Sequence, residues 1–458
     1  MDLRRAVSIV AGACAALALV GTAGSVAWTQ TADEGRTVGT WQEPAVAAPT
    51  PVAVQQPVGE TSAGKKAAGE DAVGATTAGE SRGGGPRDHE SAIKTPEDGR
   101  QKIGELLSVD KLLGYRAPKR EVFRYPGASY VKLHFSRMTM LPGDYVTVSD
   151  ASGEESYRYD APKLLDTAAP NDRWAMSITG DTAVLEVHRG GGALLSSLLG
   201  RLGVHVDQVA KGFSKQEQAN TRQEEVRNPN RTGREESVCG GDESSDAVCY
   251  RPADPVAYTR SKAIARLLIN GTELCTGWRI GTKNRMMTNN HCFDNSDDAY
   301  ETEVWFNYQC AKCGGYDVFR PTKVWGDKVI ATNHVYDYTL FTVEKFAAVR
   351  KFGFLTLDTG RPARGQELYV PQHPAGEPTR IAGRRGEKAG TCAVADNAFD
   401  GYAQDSDVSY YCDTEGGSSG SPVLSRKTDK VVALHHFGGC PNSGVRADLL
   451  YKRIKSYI

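Results

Sequence analysis

Nine of the ten cysteines fall between Cys239 and Cys440, so the second half of this chain can be cross-linked and the first half cannot. Whether they pair or bind metal depends on the compartment, and the N-terminus speaks to that. Met1-Asp2-Leu3-Arg4-Arg5 is a basic start, Ala6 to Val20 is an apolar run of small residues, and Ser25-Val26-Ala27 suits a cleavage site. Residues 1–28 therefore read as an export signal. An uncleaved anchor is the alternative, because weakly polar residues extend the segment to Trp28. Secretion into an oxidising medium favours disulfides over zinc. Cys14 leaves with the signal, and the apolar run continues past it, which argues against a lipid-modified cysteine. Cys310-Ala311-Lys312-Cys313 is a lone C-x-x-C with no matching second pair. No metal and no cofactor are expected. With 55 basic against 56 acidic residues, no overall field points to a nucleic-acid partner. Membrane contact is expected only through the N-terminal segment, if it stays uncleaved.

The chain then changes character four times. Residues 29–98 are Ala, Gly, Thr, Pro and Glu with few large apolar side chains, a composition too poor in buriable surface to offset chain entropy. They read as a disordered linker. Ile103, Leu106, Leu107 and Leu113 lie near helical spacing and predict a short amphipathic helix over 99–113. Alternating runs follow at 130–135, 145–148, 157–159 and 183–187, with turn signals at Leu141-Pro142-Gly143-Asp144 and Ser149-Asp150-Ala151-Ser152-Gly153. Together, 99–190 predict a small β-sandwich. Its place between signal and C-terminal half suits a propeptide that aids folding or masks an enzyme; a substrate- or carbohydrate-binding module is the other reading. Residues 193–213 predict a further helix and strand. Residues 191–236 form a polar linker in which Arg231 and Arg234 mark an exposed maturation site.

The chemistry lies in the last 222 residues, 237–458. Gly416-Gly417-Ser418-Ser419-Gly420-Ser421-Pro422 sets a serine among glycines, where the backbone can turn sharply and aim N–H groups at an oxyanion. Such a cluster is an ordinary loop unless a histidine base and a carboxylate accompany it. Thr288-Asn289-Asn290-His291-Cys292 and Asp337-Tyr338-Thr339-Leu340 supply them, in the order His, Asp, Ser.

These motifs resemble the trypsin/chymotrypsin family of serine peptidases. Cys275-Thr276-Gly277 precedes the His291-Cys292 pair, with Cys275 seventeen positions ahead of Cys292, and Asp337 follows His291 by 46 positions. The resemblance implies an all-β fold: a chymotrypsin-like double β-barrel with a C-terminal helix, preceded here by the small β-sandwich. Leu450, Ile454 and Ile458 recur every four residues and give that helix an apolar face. Cys239, Cys249, Phe306-Asn307-Tyr308-Gln309 ahead of Cys313, Gln372-His373-Pro374 and Thr379-Arg380-Ile381 are similar to secreted bacterial lysyl endopeptidases. That likeness implies disulfides Cys239–Cys440, Cys249–Cys313 and Cys275–Cys292. Cys392–Cys412 is taken as a fourth, which leaves Cys310 over.

The resemblance also implies roles. Ser419 is the nucleophile, His291 its base, Asp337 the partner of the imidazole, and the N–H groups of Gly417 and Ser419 the oxyanion hole. Asp413, six residues before Ser419, stands where trypsin-like members hold the acid that reads a substrate Arg or Lys. Thr414, Gly438, Gly439 and Gly444 would complete that pocket. His435 would hydrogen-bond Asp337, and His436 or Phe437 would form an apolar wall. Ser418 replaces the Asp that trypsin zymogens use on activation, so steric unmasking by propeptide loss is the expected route. The expected function is a secreted serine endopeptidase cutting proteins or peptides after Arg or Lys, with its own propeptide as inhibitor or chaperone. Two alternatives stand: an inactive peptidase-fold binding protein, and Glu-specific cleavage, since Glu-specific relatives share Gly-x-Ser-Gly-Ser-Pro and a His before the Gly pair.

Overall fold

A computed structural model of the protein describes residues 100–458, apart from 116, 162–171, 191–201, 221–237, 240, 316 and 384–391. The export signal, the 29–98 linker and the Arg231/Arg234 maturation site lie outside the described residues.

The first unit is two antiparallel sheets. Tyr130–Thr139 is flanked by Gly203–Gly212 on one side and by Arg173–Trp174 and Ile178–Thr179 on the other, and Gly104–Gly114 pairs with the outer edge of Gly203–Gly212. The second sheet runs Arg120–Arg124, Thr182–His188, Tyr145–Ser149, Ser156–Asp160. Alternate residues of both, among them Leu133, Phe135, Val146, Val148, Leu185 and Val206, form one buried core. Two expectations are corrected here. The helix over 99–113 is absent, and Gly104–Gly114 is a strand. Its apolar residues do not share one face: Leu113 enters the sandwich core, whereas Ile103 enters a separate cluster with Leu274 and Trp305. Long-range pairing with Gly203–Gly212 overrides the local spacing. The sandwich also does not end at 190, because Gly203–Gly212 is paired on both edges inside it.

Six strands close the next unit. Ile264–Ile269, Glu273–Arg279, Met286–Thr288, Tyr338–Val343, Thr322–Asn333 and Glu303–Phe306 pair in a ring, each antiparallel to its neighbours. A second ring joins Leu368–Gln372, Pro422–Ser425, Val431–Phe437, Asn442–Arg446, Asp407–Tyr410 and Val394–Phe399, and backbone bonds such as Leu368 N to Cys392 O close it. The fold is therefore an all-β double barrel. Ile264, Trp278 and Leu340 of the first barrel meet Tyr369, Leu434 and Val445 of the second in a shared core. The helix Ala447–Ile454 packs Leu450 and Ile454 against that core.

The sandwich is fastened to the first barrel by buried charge. Glu303 receives Lys132 Nζ at 2.9 Å, Ser177 Oγ at 2.6 Å and Trp305 Nε1 at 2.8 Å, while Lys323 reaches Glu155 at 2.7 Å. Burial pushes the Glu303 carboxyl up, but Lys132, Lys323 and Ser177 outweigh it and hold it below the ordinary range. Just before the sandwich, Gln101–Lys102 adds a seventh strand to the first barrel, with Gln101 opposite Leu274 and Lys102 opposite Glu273.

Candidate active site

The three motifs meet in the cleft between the barrels. His291 follows the strand Met286–Thr288, and its backbone N–H donates to Asp337 Oδ1 at 3.0 Å. Asp337 takes a left-handed φ of +34° just before Tyr338–Val343, and Asn289 Nδ2 donates to its carbonyl at 2.8 Å. Asp residues tolerate that region better than most, and the turn swings the carboxylate under the imidazole. His291 Nδ1 lies 2.7 Å from Asp337 Oδ2, and His291 Nε2 lies 2.9 Å from Ser419 Oγ. All three side chains are buried. Burial raises the Asp337 carboxyl, but His291 and His436 outweigh it and hold it far below the usual carboxylate range.

Glycine is required where the serine loop crosses the barrel interface. Gly417 has φ +96° and Gly420 φ +87°. A Cβ on Gly417 would strike the Leu274 side chain, and one on Gly420 would strike the Thr276 carbonyl. Thr276 N donates to Ser419 O at 2.8 Å and Thr276 Oγ1 to Gly417 O at 2.8 Å, so the second barrel's nucleophile loop is held by the first barrel's strand. Ser418 stays within the loop, its hydroxyl accepting from Glu415 N at 3.2 Å.

Residues 275–434 match the family model of the trypsin-like peptidase domain. This segment is a trypsin-like peptidase domain. The chain is 38% identical over 231 residues to the secreted RxLR effector protein 73 of Plasmopara viticola, covering 49% of this chain and 56% of that protein. It is 30% identical over 199 residues to an uncharacterized protein of Sinorhizobium fredii, covering 39% and 28%. The chain thus spans about half or less of the length of these relatives. Among solved structures it is similar to a Glu endopeptidase (20% identity, TM-score 0.35, covering 48% of this chain and 98% of that one). A serine endoprotease from Yersinia pestis is also similar (11%, TM-score 0.33, 44% and 65%).

Around the trypsin-like domain's triad, several expected roles fall elsewhere. Asp413 does not present a free carboxylate to a pocket. Its Oδ1 accepts from Cys239 N at 3.1 Å and its Oδ2 from Glu243 N at 2.8 Å, so it holds the entry segment of the domain. Burial pushes its carboxyl up, against those two amides. His435 does not touch Asp337. Side chains alternate along a strand, and on Val431–Phe437 it is His436 that faces the triad, with Nδ1 3.1 Å from Asp337 Oδ2. His436 is therefore not an apolar wall. His435 turns the other way, to Tyr410 OH at 2.7 Å. Burial, with His436 and His291 nearby, brings its pKa down to about 3.

Gly444 lies inside a strand, opposite His435, where a Cβ would come 2.7 Å from Leu434 O, so its size serves strand packing. Gly438 and Gly439 are partly exposed at the end of Val431–Phe437, ahead of Cys440. The Thr414 hydroxyl is buried and has no hydrogen-bond partner among the described residues. The disulfides are Cys239–Cys440, Cys249–Cys313, Cys275–Cys292 and Cys392–Cys412. Cys310 is a buried free thiol, its pKa pushed up to about 12, chiefly by burial.

Asp407 and Ser443 were not legible as site residues. His436 Nε2 lies 2.6 Å from Asp407 Oδ2, and Ser443 Oγ donates to the same oxygen at 2.9 Å. Nothing in their local sequence marks them.

Proposed function

We propose that this chain is an exported serine endopeptidase working through an acyl-enzyme. The observation that carries the reading is one uninterrupted line of hydrogen bonds: Ser419 Oγ to His291 Nε2 at 2.9 Å and His291 Nδ1 to Asp337 at 2.7 Å. Ser419 Oγ bonds to the scissile carbonyl carbon as its proton passes to His291. The imidazolium then gives that proton to the departing amine, and water repeats the sequence to free the acid. Asp337 keeps the ring in the tautomer whose Nε2 accepts. Gly417 and Ser419 N–H groups stabilise the oxyanion, each by roughly 3–4 kcal/mol.

The residue before the cut is read from what surrounds Asp413. With both carboxylate oxygens accepting main-chain amides, an Arg or Lys side chain would find no free acid there. Thr414 and His435 are the remaining expected pocket groups that can donate hydrogen bonds. A buried neutral imidazole would take up a proton beside a substrate carboxylate, which supports an acidic residue before the scissile bond. Four reporter peptides bearing Arg, Lys, Glu or Leu before the cut, with Ser419→Ala as control, test both levels. Fastest cleavage after Glu supports the specificity, fastest cleavage after Arg or Lys overturns it, and no difference from Ser419→Ala on any peptide favours the binding-protein alternative.

The N-terminal unit is proposed as a built-in inhibitor rather than a detached propeptide. Gln101–Lys102 runs antiparallel to Glu273–Arg279, with Gln101 opposite Leu274, two positions from Thr276, the residue bonded to Ser419 O. A substrate of the same polarity keeps its leaving-group residues where Gln101 and Lys102 now pair. The Gln101 carboxamide also rests on Gly416, where any Cβ would collide with it.

A further inference from the structure

The imidazole of His436 is completely buried and is enclosed by carboxylates on both nitrogen-bearing edges. Nδ1 is 3.1 Å from Asp337 Oδ2, and Nε2 is 2.6 Å from Asp407 Oδ2. A carboxylate only accepts, so each ring nitrogen must carry a hydrogen, and a ring with both is a cation. The alternative, a proton resting on one of the acids, finds little room. Asp337 already accepts from His291 N and His291 Nδ1, and Asp407 accepts from Ser406 Oγ at 2.8 Å and Ser443 Oγ at 2.9 Å. The remaining faces of the ring meet Phe437, with centroids 3.9 Å apart, and Tyr402 at 5.9 Å. Two further imidazoles lie nearby: His291, which shares Asp337 Oδ2, and His435, which turns to Tyr410 OH.

We propose that His436 is a standing imidazolium between Asp337 and Asp407, and that its proton positions the triad's carboxylate. It is a positioning residue, because it acts on His291 only through Asp337. The charge count explains why the arrangement holds in a buried site. Two carboxylates and one imidazolium sum to −1, which the His291 cation brings to zero when the oxyanion forms outside the count. Without the His436 proton, two buried negative charges share one neutral ring, and one nitrogen lone pair must face a carboxylate oxygen. Asp337 Oδ2 then loses a donor and its hold on His291 loosens. Burial alone would strip the ring of its proton, but Asp407 and Asp337 outweigh it and lift its pKa to about 9. The consequence for rate rests on the peptidase reading; the charge state does not.

Nitrogen-15 histidine spectra of the full chain carrying Ser419→Ala, which cannot digest itself, separate the two. His134 also lies between two carboxylates, Asp172 and Asp207, so the His436 ring is assigned by the signals lost in His436→Gln, and at pH 7.5 that ring should keep both nitrogens protonated. In Asp407→Asn the same ring should be neutral at pH 7.5, because the new carboxamide donates to Nε2. A neutral His436 ring at pH 7.5, or an Asp407→Asn spectrum in which that ring stays cationic, overturns the proposal. With Ser419 intact, kcat/KM on the reporter peptide should fall about tenfold per pH unit above about 9. That fall should disappear in Asp407→Asn. A uniform loss at every pH with the alkaline fall intact would reduce Asp407 to packing and overturn the positioning role. Absence of any Ser419-dependent hydrolysis would instead remove the peptidase reading, with the spectra still deciding the charge.

Discussion

The carboxylate of Asp413 accepts the main-chain N–H of Glu243 at 2.8 Å, so the acid six residues before the nucleophile ties the start of the peptidase domain to its active-site loop. Asp413→Asn should therefore act on stability more than on selectivity. The amide keeps one acceptor and turns an N–H toward the second main-chain donor, a loss of about 1–3 kcal/mol. Thermal melts should show a lower Tm, by several degrees, while the ranking of Arg, Lys, Glu and Leu reporters stays unchanged. A changed ranking would restore Asp413 as the specificity group. The sign of its titration gives a second check. Because its folded pKa is raised, any advantage of the protonated form is fully present below about pH 4 and is lost as pH rises through the folded value.

What the sequence could convey differs by distance along the chain. His291, Asp337 and Ser419 stand in short motifs whose glycines, cysteines and turn residues are local, and the structure sets them within hydrogen-bond reach of one another. The double barrel came from the family likeness of those motifs, since strands such as Ile264–Ile269 and Tyr338–Val343 are buried throughout and carry no alternation of their own. His435 and His436 were not separable: adjacent residues point to opposite faces, and the choice depends on a register that is itself irregular between His435 and Phe437. Asp407 carries no mark because its partner, His436, lies 29 positions away. The strand at Gln101 was misread for the same kind of reason, since its pairing partner is Leu274.

The Cys275–Cys292 bridge closes a loop of 17 residues directly beside His291. Chain-entropy arguments assign such a loop about 3 kcal/mol. Replacing both cysteines by alanine should lower the midpoint of denaturant unfolding, and kcat/KM should fall with it because His291 adjoins the bridge. Unaltered kcat/KM in the folded double variant would show that the imidazole is positioned by Asp337 alone.

Glu303 makes the sandwich and the barrel one acid-sensitive body. Its pKa is lowered in the fold, so its contribution is present above the unfolded carboxylate range of about 4 and is lost as pH falls through the folded value. Glu303→Gln leaves Lys132 buried without its carboxylate, while Lys323 keeps Glu155, at a cost of about 3–5 kcal/mol. Melts from pH 3 to 7 should show the wild type losing stability on acidification and the variant losing less of it, from a lower start. Equally, a single cut within 221–237 should leave the two halves together on a sizing column at pH 7. Separation of the halves would return the sandwich to the role of a shed propeptide.

The edge strand at Gln101 makes a prediction that depends on where the substrate ends. A peptidyl anilide has residues only before the cut and does not need the edge at Leu274. An internally quenched peptide with three residues after the cut must displace Gln101 and Lys102 to pair there. Gln101→Pro removes an N–H from that short strand and pins its backbone, weakening it by about 1 kcal/mol, the worth of one hydrogen bond. Cleavage of the quenched peptide should rise about fivefold, while anilide cleavage stays constant and serves as the control for folding. Equal rises on both substrates would mean the strand affects the triad itself. No rise on either would mean that the substrate's leaving-group residues take another path, and that the N-terminal strand is a brace for the barrel and no competitor for its groove.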